Sequence, residues 1–261
     1  MNPLANDLIQ QFKKTFTGLP QWAWPFKPSI PFIGDNYKPK NGLLIYASAE
    51  NLSWLNNEPP PPFFTNEDVW NRYRIQYEMN GRNSKDFFPY VGIQPVNDGG
   101  LFAAGLFVSQ KMGLPTVAKP RTFLETISVT NWCKFSVKSA NNKDHIYDAK
   151  KLTDSLPYVI GELALLRPAV VLIPKPVWVH PVFQPAMKNA SPRSIFLPVP
   201  QFNATVVNCK LNKCDRSAIE LKNKLADTPL ALWMENLKRI NRDNAWRYIA
   251  KLDDLVQQKL T

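Results

Sequence analysis

The sequence predicts an α/β protein, three-layered with helices on both sides of a mainly parallel central sheet, and three observations predict it. Short apolar, β-branched runs recur at 42–46, 126–129, 169–173 and 194–197, separated by stretches long enough for crossovers. Residues 152–166 between two of those runs carry a helix-forming composition. The run Ala169-Val170-Val171-Leu172-Ile173 has no polar interruption, as in a parallel strand buried on both faces. A chain of 261 residues suffices for one large domain with a core that needs no staples, and no linker divides it. The expected organisation is an amino-terminal helix and aromatic arm over 1–40, packed on a single α/β domain over 41–261 with carboxy-terminal helices.

From the amino terminus, Leu4, Leu8, Ile9, Phe12 and Phe16 have helical spacing, and Gly18-Leu19-Pro20 ends that helix. The Pro- and Trp-rich arm from Gln21 to Phe32 excludes regular structure, so its aromatics pack as an extended strap or form an exposed binding surface. Gly42-Leu43-Leu44-Ile45-Tyr46 reads as the first sheet strand, breaking into Ala47-Ser48-Ala49-Glu50-Asn51. Small then polar residues at the carboxyl end of a parallel strand mark the crevice where open sheets bind ligands. Equally, Ser48 or Asn51 caps the next helix.

Pro59 to Pro62 force an extended segment, 67–79 has helical composition, and Phe87-Phe88-Pro89-Tyr90 is an aromatic loop. A ring on such a loop either stacks on a base or packs in the core. Asn97-Asp98-Gly99-Gly100 opens a helix with Leu101, Phe102, Leu106 and Phe107. The central stretch from Thr126 to Val137 is apolar up to Val129 and turns polar at Thr130-Asn131, where a strand would open into a site. The Asn131 amide, with one acceptor and two donors, can pair with a base edge, and Lys134 can meet a phosphate; the plainer reading makes Asn131 a turn residue. After the last strand, the loop Pro198 to Thr205 is expected to stand beside those after the first and central strands. The tail from Asp215 is helical, with Trp246, Ile249, Leu252, Val256 and Leu260 along one stripe.

Lys and Arg number 32 against 21 acids, a formal charge of +11, which favours an anionic partner, nucleic acid above all, or serves solubility. Cys133, Cys209 and Cys214 cannot pair completely, and only two histidines exist, so neither a disulfide framework nor a zinc site is expected. No stretch approaches the ~20 apolar residues of a membrane span. The expectation is a soluble, intracellular, cytoplasmic protein without a signal peptide.

Val129-Thr130-Asn131-Trp132-Cys133-Lys134-Phe135 resembles the strand-end Thr-Asn followed by Lys of the uracil-DNA glycosylase superfamily, in its iron-sulfur and single-strand-selective branches. Leu165-Leu166-Arg167-Pro168-Ala169-Val170-Val171-Leu172 resembles the helix-to-strand passage that follows in that family. The order of parts is similar from about residue 40 to residue 208. The resemblance implies a protein that flips a nucleotide of DNA into a pocket and hydrolyses its N-glycosidic bond, removing uracil or a related damaged base. It makes Asn131 the base reader and Tyr90 or Phe88 the stacking ring, with Asn51 at the base. Lys134 would hold phosphate.

Two family motifs are altered. The first falls on Ala47-Ser48-Ala49-Glu50, where Ala49 has no group to position water, leaving Glu50, Ser48 or Asn51 for that task. The other, normally beginning His-Pro-Ser, falls on Val199-Pro200-Gln201, so steadying the departing base would pass to Gln201 or Asn203. His180-Pro181 follows a different strand and reads as structural. The four cysteines of the iron-sulfur branches are absent, and neither cluster, metal nor other cofactor is expected. Enzyme and non-catalytic module, the latter binding nucleic acid, a nucleotide or a protein, both fit this pattern. So does an unrelated α/β protein holding an anionic small molecule at the same strand ends.

Overall fold

The computed structural model describes residues 3–23, 28, 30–49, 99–115, 123, 125–135, 148–200, 216–235 and 241–260. The expected helix over 67–79, the four prolines, the aromatic loop with Phe88 and Tyr90, and the segment bearing Gln201 and Asn203 lie outside them. So do Glu50 and Asn51. The chain divides into two compact units, Met1–Tyr73 with Ile127–Pro198 and Arg74–Thr126 with Val199–Thr261.

The first unit is mixed α/β. Its sheet holds β1 (Phe32–Ile33), β2 (Leu43–Ala49), β3 (Ile127–Cys133), β4 (Val170–Pro174) and β5 (Ile195–Val199) in the order β1-β3-β2-β4-β5. β2 is central and parallel to both β3 and β4, whereas β1, the end of the strap, is an antiparallel edge on β3 that the sequence does not announce. β4 is buried along its whole length, as its unbroken apolar run requires. β3 continues two residues beyond Asn131, so Thr130-Asn131 does not end the strand.

In the parallel register Leu44, Tyr46, Trp132, Val171 and Ile173 share one face of the sheet. α1 (Pro3–Thr15) and α3 (Ala149–Leu166) join those residues in one core, the former through Leu8, Ile9 and Phe12, the latter through Leu152, Val159, Leu163 and Leu166. Phe12 meets Tyr158 edge to face, with centroids 5.0 Å apart. Asp148 caps α3 by accepting the backbone N–H of Lys151 at 3.2 Å. The strap packs where it is described: Trp22 stands edge-on to Phe135 and its indole donates to Asp154 at 2.7 Å. Gly42 lies under the buried Tyr37 ring, where a Cβ would come within 2.4 Å of ring carbon, so only glycine fits. Two short helices, α4 (Lys175–Trp178) and α5 (Phe183–Ala190), join β4 to β5, and α5 packs on α3.

The described part of the second unit is helical. α2 (Gly99–Lys111) is apolar all round and buries Phe102, Leu106, Phe107 and Val108, as a core helix must. It packs against α7 (Pro229–Glu235) and α8 (Arg242–Leu260), and α8 also packs on α6 (Arg216–Lys224). Trp246, Ile249, Leu252 and Val256 form the buried stripe of α8, but Leu260 is exposed at its end.

Candidate functional site

Alternate residues of β3 point to opposite faces of the sheet, and its polar residues divide accordingly. Thr130 and Lys134 face inward. Lys134 is completely buried, with its ammonium ion-paired to the equally buried Glu162 carboxylate of α3. The Lys134 ammonium also donates to the Thr130 hydroxyl at 2.7 Å, and the Tyr46 hydroxyl donates to Glu162 Oε2 at 2.9 Å. The Lys134 backbone N–H donates to Ser155 Oγ at 2.9 Å. Helix α3 is thereby tied to the last turns of both β2 and β3.

Burial pushes the Lys134 ammonium down and the Glu162 carboxyl up, while each charge holds the other in its ionised form. The Tyr46 phenol is raised by burial and by the adjacent carboxylate. These groups are a structural device: nothing in solution reaches them. The reading of Lys134 as a phosphate contact is therefore corrected, because its charge is spent inside the fold on Glu162. Cys133 is buried too, and desolvation pushes its thiol up to about 12, so it is no nucleophile at neutral pH.

Glu162 is the residue that sequence reasoning missed. The signal was available, since Leu152, Ser155, Val159, Glu162 and Leu166 fall on one stripe of α3, and a carboxylate on an apolar stripe demands a cation or a hydrogen-bond donor.

Asn131 points to the other face. It is the one residue of β3 that is not buried, and its register partner on β2 is Ala47, which is half-buried where Leu43 to Tyr46 before it are buried. The Asn131 amide forms no hydrogen bond with another described residue. A half-buried amide thus stands beside a side chain that stops at Cβ, two residues from the carboxyl end of β3. Ser48 follows within β2, which ends at Ala49.

Carrying the register of β2 and β4 two residues on puts Pro174, the end of β4, level with Ala47. The strand order reverses between β2 and β4, so the ligand crevice of such an open α/β sheet opens beside the ends of those two strands, one strand over from Asn131. β5 ends beyond β4 rather than beside β2, roughly 10 Å from β2 at the usual strand spacing. The loop after β5, from Gln201 on, lies outside the described residues.

After β4 the chain forms α4 and turns through Val179-His180-Pro181-Val182 into α5. His180 stacks on Phe183 with centroids 4.1 Å apart, and its Nδ1 accepts the Val182 backbone N–H at 3.3 Å, which leaves the proton of the neutral ring on Nε2. Among the described residues no group of three metal-ligating side chains comes together, and no helix is long and apolar enough to cross a membrane. No protein-family model, curated protein or solved structure matches this chain.

Proposed function

We propose that this protein is a divergent relative of the uracil-DNA glycosylases that takes a nucleobase of DNA at the carboxyl ends of β2 and β3, with Asn131 reading the base edge. The observation that carries this reading is the half-buried Asn131 amide beside Ala47, one strand from the strand-order reversal between β2 and β4 of a mainly parallel sheet. An amide offers the paired donor and acceptor that a base edge requires, and a formal charge of +11 suits a polyanionic partner. In the catalytic form of the proposal, Glu50 or Ser48 orients the water that attacks the sugar carbon, Tyr90 or Phe88 stacks on the base with Asn51 at its edge, and Gln201 or Asn203 steadies the base as it leaves.

One observation favours a non-catalytic module instead. Val199, which stands where the resemblance calls for a His, is buried in β5 and has no side-chain donor. Single-turnover incubation of excess protein with labelled oligonucleotides containing uracil, hypoxanthine or xanthine, followed by alkaline cleavage of abasic sites, separates the two. Cleavage that Asn131→Ala abolishes supports the enzyme, whereas salt-sensitive, Asn131-dependent binding without cleavage supports the module. Oligonucleotide binding and cleavage indifferent to Asn131→Ala would sink the reading in both forms.

A further inference from the structure

Among the described residues, two that are not glycine hold a positive φ, Lys40 at 67° and Arg167 at 42°. Both stand where the backbone favours glycine. The Asn41 N–H donates to Lys38 O at 3.2 Å, and with Pro39 in the second position Lys40 takes the third position of a type II turn. Arg167 is the left-handed residue that ends α3, its N–H donating to Leu163 O at 3.0 Å. The two are joined, since the Lys40 N–H donates to Arg167 O at 2.6 Å. A side chain at such a position carries backbone strain, and strain of this kind gathers where a protein binds something. A cation suits the carboxyl end of a helix, and the Arg167 Nε–H reaches Ala164 O at 3.4 Å, but Lys40 ends no helix.

A third cation stands at the same edge. Arg193 precedes Ser194, whose hydroxyl donates to Pro168 O, and the Ile195 N–H donates to Ala169 O at 2.9 Å, so the starts of β4 and β5 lie together. The Ala169 N–H in turn donates to Gly42 O at 2.9 Å, which brings in the start of β2. Lys40, Arg167 and Arg193 are all exposed, at the amino ends of β2, β4 and β5, whereas Asn131 lies near the carboxyl end of β3. Residues 36–49 and 163–214 contain no Asp or Glu. Asp35, the nearest acid before Lys40, follows Gly34, whose N–H donates to Ile127 O on the β3 side of β2; Lys40 bonds on the β4 side. We infer that Lys40, Arg167 and Arg193 form a second nucleic-acid contact, which grips the phosphodiester backbone at the amino ends of the strands and reads no base. Exposed cations on a fixed backbone suit a strand passing over the surface, while a small anion would need a concave site to enclose it. This goes beyond the reading of Asn131 and does not depend on it, because phosphate contacts hold nucleic acid of any sequence.

The test uses the full chain and a fluorescent, uracil-free DNA duplex, with affinity measured by anisotropy between about 50 and 200 mM salt. Lys40→Gln, Arg167→Gln and Arg193→Gln together should reduce the slope of log affinity against log salt by about three. Lys224→Gln, Lys251→Gln and Lys259→Gln, which take the same charge from exposed positions on α6 and α8, should leave the slope near that of wild type. Equal slopes for the two triple variants would assign binding to net charge and overturn the inference. Lys40→Gly with Arg167→Gly guards against a failure to fold, because each position then has the residue its backbone favours. Its melting temperature should not fall, while its slope drops by about two; a wild-type slope in that pair would overturn the inference as well. If Asn131→Ala loses recognition of uracil while the first triple variant binds the duplex like wild type, base reading stands and this contact falls. The reverse pattern sinks base reading alone. Wild-type protein that ignores the duplex but sediments with phosphatidylserine vesicles through these three cations would overturn the inference and give the edge to a membrane surface.

Discussion

Thr130 and Asn131 are adjacent on one strand and differ in every respect that matters for function. The Thr130 hydroxyl lies in a sealed cluster with Lys134, Glu162 and Tyr46, each polar atom answered by another. The Asn131 amide, one residue on and turned the other way by the pleat, has no described partner and a neighbour on β2 that stops at Cβ. Polarity in a strand therefore has two meanings. Where the hydrogen bonds close, the residues hold the architecture; where no described group answers them, the residue keeps the donors and acceptor that the proposed reading assigns to a ligand.

The sealed side should be the more sensitive to substitution. Glu162→Leu leaves the Lys134 charge buried without its partner, and about 3–5 kcal/mol of stability should be lost in urea unfolding. Adding Lys134→Met to it should recover most of that loss. A single-variant loss under 1 kcal/mol would mean that the inward cluster is not the closed unit it is taken for.

Alkaline pH tests the same side without mutation. The buried Cys133 thiol is held up to about 12 from an ordinary 9.0, and the Tyr37 and Tyr46 phenols are raised by burial as well. These groups keep their protons in the fold and lose them in the unfolded chain, so stability is intact below pH 9. It should fall between pH 9 and about 12, by about 1.4 kcal/mol per pH unit for each such group. Lys134, whose folded value is lowered, acts in the opposite sense and reduces the net slope. Unfolding curves at stepped pH would show a flat profile if these groups were hydrated.

Tyr46→Phe removes one donor from Glu162 and keeps the ring, so a loss of about 1.5–3 kcal/mol is expected by the same measurement. The smallest effect belongs to the open side. Asn131→Ala should change stability by no more than about 0.5 kcal/mol while removing base recognition. A larger loss of stability would show that Asn131 is structural after all, and the contrast with Thr130 would collapse.

Much of the architecture was legible because its elements are strongly patterned. The unbroken run Val170–Ile173, the stripe of α1 and the apolar helix at Gly99–Lys111 have no competing reading. The end of β3 was not legible, because Thr130-Asn131 looks like a break to any rule that equates polarity with exposure. Parity gave the better clue: Lys134 shares the parity of Thr130, which turns it inward, and Glu162 on the facing helix needs a cation. Sheet order is not written locally at all, so nothing near Val199 shows that β4 separates β5 from β2. The Asn131 amide stands out in the sequence as a polar residue, but the pairing that sets it beside Ala47 is not legible there.

The parallel pairing of β2 also sets a schedule for synthesis. Leu43 has its partners at Ile127 and Val170, roughly 80 and 130 residues downstream. At about 5–20 residues per second on the ribosome, the central strand waits between several seconds and nearly half a minute for neighbours on both sides. Such long-range closures are slow to form. During that interval Leu43-Leu44-Ile45-Tyr46 is an unpaired apolar edge, so newly made chains should depend on holding chaperones more than the finished protein's stability alone would suggest.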